Sequence, residues 1–271
     1  KSNLMIKAKN NMQKHFKGVI TDQFENLKQS PFAGKIEKNL ISNSSKIKIL
    51  VASHCFTDSP HVHGNFLFDD YYDWVENLGK ISLKTDYEWY IKPHPNKYHE
   101  KKNLEVINDF VKKYKKFKII DNYQSHFSYM EKIDFFLSID GHIAEEMAYF
   151  NKKVIIANKS GRMGSYKFVL NPNTKKDYIN LLLNLNKKVQ LKIDRKEIFL
   201  AHCVNHMFAH QNYLTQVRKL SNKIGWSNIG TIQVIKFWIN NFNNNKHKKM
   251  LKKVSIFVDK ADKTRRYLRY I

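Results

Sequence analysis

"DFFLSIDGHIAEEMAYFNKKVIIA", residues 134–157, holds two short apolar runs with an amphipathic stretch between them. Residues 134–139 and 152–157 are rich in aromatic and β-branched side chains that suit strands, and 142–150 has helical spacing. Strand, helix and strand in so short a span predict a right-handed crossover between parallel neighbours. The alternation extends upstream. "KIKILVAS" (46–53), "YEWYIK" (87–92) and "FKIID" (117–121) read as further strands. Between them, helices are expected over 65–80, closed by Gly79, over 101–116, and over 125–133. The fold class that follows is α/β, a Rossmann-like doubly wound parallel sheet over residues 46–190. Residues 1–45 read as helix and loop, too short for a second full domain, and 191–271 as a helical extension with a basic amphipathic end.

The chain has 271 residues and a net charge of +24, with 42% hydrophobic residues. That apolar content suits a globular protein, and the charge favours polyanionic partners or phosphorylated substrates. Lysines crowd 1–48, 97–118 and 246–269, while acids concentrate in 50–91 and 119–150. No apolar run is long enough for a membrane span and no signal peptide is evident. Cys55 and Cys203 form no disulfide framework, which suits a reducing compartment. The expectation is a cytoplasmic protein whose basic end, 246–271, is either a terminal helix docked on its own domain or an amphipathic helix lying on the acidic inner face of the membrane.

Open parallel sheets bind ligands beyond the carboxyl ends of their strands. The unusual residues of this sequence fall there. After the first strand come Ser53, His54, Asp58, His61, His63 and Gly64. After the second, Lys92-Pro93-His94-Pro95 ends the strand abruptly, since proline lacks an N–H and biases the preceding residue towards extended geometry. Ser125 and His126 follow the third strand, and Ser138, Gly141 and His142 the fourth, with Glu145 and Glu146 in the next helix. Gly141 admits close approach of a ligand to the backbone, the following helix start offers N–H groups to phosphate, and Glu146 is placed to accept from ribose hydroxyls.

The order "ILVASHCFTDSPH … WYIKPHP … SH … FFLSIDGHIAEEMAYFNKKVIIA" resembles the nucleotide-binding C-terminal half of bacterial capsule and surface-polysaccharide glycosyltransferases. These are GT-B enzymes related in pattern to Kdo transferases, polysialyltransferases and teichoic-acid glycerophosphotransferases. The resemblance covers about residues 46–210. It implies that His94-Pro95 is the family's histidine-proline motif, at the donor phosphate, and that Ser138, Gly141 and Glu146 are its Ser/Thr-x-x-Gly stretch with the following Glu. Lys92, Ser125, His126 and His142 join them as donor-binding candidates; His61, His54 and Asp58 are candidates for the catalytic base or a further phosphate contact. The resemblance implies transfer of a sugar or related group from a nucleotide-activated donor to a glycan or lipid-linked glycan acceptor. Cationic side chains stand in for a metal, so neither metal nor cofactor is expected beyond the donor itself. Two departures stand out. Asn151 and Lys153 occupy places where the family usually has Gly and Pro, and Asn tolerates the left-handed geometry of such a turn. A complete GT-B enzyme also has an N-terminal acceptor domain, which residues 1–45 do not supply.

Two other functions fit parts of the sequence. A metal-dependent hydrolase would use His61 and His63 with Asp58, His94 and His126. It needs more strands than the sequence offers, and Pro60 and Gly64 explain that loop as a turn. A nucleic-acid-binding module would suit the charge, but no zinc-finger, RRM or KH signature is present, and no specific nucleic-acid partner is expected.

Overall fold

A computed structural model describes residues 2–20, 27–57, 66–159, 162–189 and 191–208, with 236, 239–240, 248 and 252. Residues 1–201 form one compact unit and 202–271 a second. In the second unit only 202–208 and those few scattered positions are described, so the expected basic terminal helix lies outside the described residues.

The first unit is built on the sheet that the alternation predicts. Its strands are β1 (Lys48–Ala52), β2 (Glu88–Lys92), β3 (Phe117–Ile119), β4 (Phe135–Ser138) and β5 (Lys153–Ile156), in the order β3-β2-β1-β4-β5. Every pairing is parallel. Side chains alternate between two buried faces, as the period of a strand requires. On one face Ile49, Val51, Trp89, Ile91, Phe135, Leu137 and Ile155 meet three helices. These are α2 (Tyr71–Leu83), α3 (Glu100–Lys113) and α5 (Lys175–Leu183), with α1 (Ser2–Phe16) and α4 (Ile143–Tyr149) set apart from them. On the other face Leu50, Tyr90, Phe136, Val154 and Ile156 pack with Met12 of α1, Met147 of α4, and Ile198 and Ala201 of α6 (Arg195–His202). Trp74 Nε1 donates to the Tyr178 hydroxyl at 3.0 Å, tying α2 to α5.

Three expectations change. The second-strand crossover helix starts at Tyr71, not 65, because Asp70 caps it by accepting from the Asp73 N–H at 2.7 Å. Gly79 does not end α2, which runs on to Leu83; a Cβ there would lie 2.4 Å from the Tyr114 ring, so the glycine makes room for a neighbour. The helix expected over 125–133 is a single 3-10 turn, His126–Ser128.

That short turn has another task. The segment around 30–37 is laced to it: Ser125 N–H donates to the Lys35 carbonyl at 3.0 Å and His126 N–H to that of Pro31 at 2.9 Å. Gln124 Nε2 also donates to Lys35 O at 2.7 Å, and Glu37 N–H to Ser128 Oγ at 2.9 Å. The N-terminal stretch, read as helix and loop, belongs to the same compact unit as the sheet.

Candidate functional site

The strand order reverses between β1 and β4, so the crevice of a doubly wound sheet opens at their carboxyl ends. Ser53 and His54 leave β1 there. Ser53 is buried and its N–H donates to the Lys92 carbonyl at 3.0 Å, carrying the pairing with β2 one residue past the strand. His54 is sandwiched between two rings. It stacks on Tyr71 at 4.1 Å between centroids and 19° between planes, and on His94 at 5.6 Å and 28°. The β1 and β2 loops, separate in sequence, therefore present one stacked aromatic and imidazole column. Pro93 is buried and Pro95 half-buried on either side of His94, which fits a turn held stiff around a half-exposed ring. Asp58 and His61, with the whole of 58–65, lie outside the described residues.

On the β4 side, Ser138 Oγ accepts the Gly141 N–H at 3.0 Å, and a Cβ at Gly141 would sit 2.7 Å from that same oxygen. Here the glycine is required by close packing, which serves the turn whether or not a ligand approaches. α4 has only seven residues, so its dipole adds little at the turn. Asp140 is buried and its carboxylate accepts the N–H groups of Arg162 and Met163 at 2.8 and 2.9 Å. The loop after β5 is thereby pinned to the loop after β4. Arg162 Nη1 stands 3.2 Å from His142 Nε2.

The other candidates lie beneath this edge. Lys92 is 5% exposed; its ammonium donates to the carbonyls of Gln124 at 2.7 Å and Asp121 at 3.1 Å, and sits over the Tyr129 ring at 5.6 Å. Burial pushes its pKa down to about 7, against the attraction of Asp121. Ser125 is fully buried, with its hydroxyl on the Phe32 carbonyl. His126 is buried, bonded through Nδ1 to the Tyr129 hydroxyl, and 3.6 Å from Glu146 through Nε2. Glu146 also meets His15 Nε2, from α1, at 2.8 Å. Burial alone would raise the Glu146 pKa, but the hydrogen bonds of His126 and His15 hold it well below the usual carboxylate range. Burial lowers the His126 pKa, so the neutral imidazole is favoured beside the ionised carboxylate.

His54, His94, Ser138, Gly141 and His142 thus gather at the open edge, while Lys92, Ser125, His126 and Glu146 form a polar layer under it. Sequence reading missed Tyr71, Asp140, Arg162 and His15. The rule that located the first four loops applies equally to the loop after β5, where Arg162 lies. His15 had no such signal, because its partner is 131 residues away.

No known protein family matches the chain, and no curated protein does. Solved structures do. The chain is similar in fold to a Kdo transferase. That protein, Thermosulfurimonas dismutans KpsC, a beta Kdo 2,4 transferase, is 14% identical over 74% of this chain and 56% of its own, with a TM-score of 0.46. A Methanocaldococcus jannaschii UDP-GlcNAc 2-epimerase, solved with UDP-GlcNAc and UDP, is 17% identical over 57% of this chain and 44% of its own, with a TM-score of 0.39. The chain spans about half the length of these proteins.

Proposed function

We propose that this edge binds a nucleotide-activated sugar and that the chain is the donor-binding part of a glycosyltransferase acting on a surface glycan or lipid-linked glycan. The observation that carries the reading is the stacked His54–His94 pair beyond the carboxyl ends of β1 and β2, at the edge of the sheet where β4, next to β1, ends in the Ser138–Gly141 turn. An imidazole on a stiff turn donates to a phosphate oxygen and stabilises the charge that develops as the nucleotide leaves. His94 has that role, and His54 holds its ring and offers a second donor. Leaving-group charge met this way requires no divalent metal. The base that activates the acceptor belongs to the loop of His54, Asp58 and His61.

Lys92, Ser125, His126 and Glu146 support the edge from below in this reading and do not touch the donor. Among the described residues no helix is long and apolar enough to cross a membrane. The association of 246–271 with an acidic membrane surface remains part of the proposal.

A thermal-shift panel of CMP-, CDP-, UDP- and GDP-linked sugars tests it, since a ligand that binds only the native state raises the melting temperature. At least one donor is expected to stabilise the protein, and a flat panel overturns the reading. His94→Ala is expected to weaken the responding donor roughly ten- to a hundred-fold, the effect of losing a hydrogen bond to a charged group.

A further inference from the structure

The strand-end loops also hold a cation in a fixed place. Two N–H groups of the loop after β5, those of Arg162 and Met163, bind the buried Asp140 carboxylate. These bonds to an ionised acceptor set the course of the main chain independently of the arginine side chain. The side chain then lies along the same turn. Its Nε is 3.7 Å from Asp140 Oδ2, and Nη1 is 3.2 Å from His142 Nε2. A guanidinium only donates, so His142 accepts through Nε2 and keeps its proton on Nδ1. The side chain as a whole remains 34% exposed, although its Nε is buried, and the neighbouring Gly141 is half-exposed. Lys92 presents the opposite case, with its ammonium inside and spent on two main-chain carbonyls.

We propose that Arg162 is the phosphate-binding cation of this edge, that Asp140 is its positioning residue, and that Lys92 is structural. The proposal rests on the nucleotide-sugar reading above and adds a cationic phosphate contact to the one given there to His94. A planar guanidinium meets two phosphate oxygens at once and stays charged at any physiological pH, which a buried lysine does not. An arriving phosphate oxygen takes the place of His142 Nε2 as acceptor, so no donor is left without a partner. The contact is with phosphate alone. It discriminates a nucleotide from its nucleoside and is indifferent to the base.

Calorimetric titration of CMP, CDP, UDP and GDP, each beside its nucleoside, tests this on the full chain. Arg162→Gln is expected to weaken nucleotide binding about ten- to a hundred-fold and leave nucleoside binding unchanged. Arg162→Lys keeps the charge but loses the fork, and is expected to recover only part of the affinity. Lys92→Met is expected to bind nucleotides like the parent protein. Should Arg162→Gln fail to fold, Arg162→Lys decides: parental nucleotide affinity in that variant overturns the assignment. Parental affinity in a folded Arg162→Gln variant overturns it too, while leaving the nucleotide-sugar reading standing. If the parent protein binds none of the nucleotides, both fall together.

Discussion

Lys92 and Glu146 both bring charge into the interior, and pH acts on each in a different window. The ammonium of Lys92 has a folded pKa near 7 against an ordinary 10.5. Between those values the unfolded chain holds the extra proton, so Lys92 makes stability rise with pH, and below about 7 its full penalty is in place. Lys92→Met is expected to flatten that rise, by a few kcal/mol at most, in melting curves taken from pH 7 to 10. Glu146 is shifted the other way relative to its charge. Its folded pKa is depressed, so its contribution is complete above the ordinary 4.5 and is lost as pH falls through the folded value. Glu146→Gln is expected to cost about 3 kcal/mol at neutral pH, as breaking a buried pair does, with the gap to the parent protein closing below pH 4.5. A gap that is constant with pH would mean that the carboxylate is not ionised in the fold. Period-two alternation already implies which way Lys92 turns, because Tyr90 on the same strand faces the Tyr129 side of the sheet.

Elements were legible where pattern and partner agree. The inner strands are largely apolar runs, as a sheet covered on both faces demands, while the edge strand β3 leaves Lys118 and Ile119 exposed; all five lie where the alternation places them. Gly79 shows the opposite case, since a glycine near the end of a helical pattern reads as a stop, yet Tyr114, which follows α3 as its C-cap, requires it inside α2. Gly79→Ala is therefore expected to destabilise by about 1–2 kcal/mol despite alanine's better helix propensity. In a Tyr114→Leu background the same change should become neutral or stabilising, which a double-mutant cycle by chemical denaturation measures. Asn151 keeps the turn before β5 with φ 58, as expected of a residue that tolerates the left-handed region. Asn151→Gly is expected to change stability by less than about 1 kcal/mol, and Asn151→Val to lose about 1–2 kcal/mol.

At the scale of the whole molecule, the edge was legible because parallel topology sends every strand's carboxyl end to one side. The polar layer beneath it was not. Ser125 and His126 look like edge residues in sequence, but the lacing with Lys35 and Pro31 draws them into the core, and no local pattern announces a partner so distant. Charge acts at this scale as well. With a net +24, the protein is expected to bind arbitrary oligonucleotides with steep salt dependence and no sequence preference. Removal of 246–271 is expected to weaken binding to phosphatidylserine vesicles while the donor-induced thermal shift persists, at about 1 kcal/mol for each basic residue near the surface. Unchanged vesicle binding would assign that charge to solvation alone.

The lacing of the 30–37 segment also has a consequence in time. Its side-chain bonds join residues 89 to 93 positions apart, the Gly34 site leaves no space for a Cβ against the Tyr123 carbonyl, and Ser125 and Ser128 are buried only once both partners are in place. During synthesis the segment leaves the ribosome long before the turn it binds, and closing so large a loop is slow. The early chain must wait, its apolar Phe32 uncovered, until β1, β2 and β3 have assembled and the 121–128 stretch arrives to receive it. Pulse-labelled hydrogen exchange during refolding is expected to show the amides of Val51 and Ile91 protected first, and those of Ser125 and His126 last. Simultaneous protection would mean that the two ends of the chain find each other before the sheet between them exists.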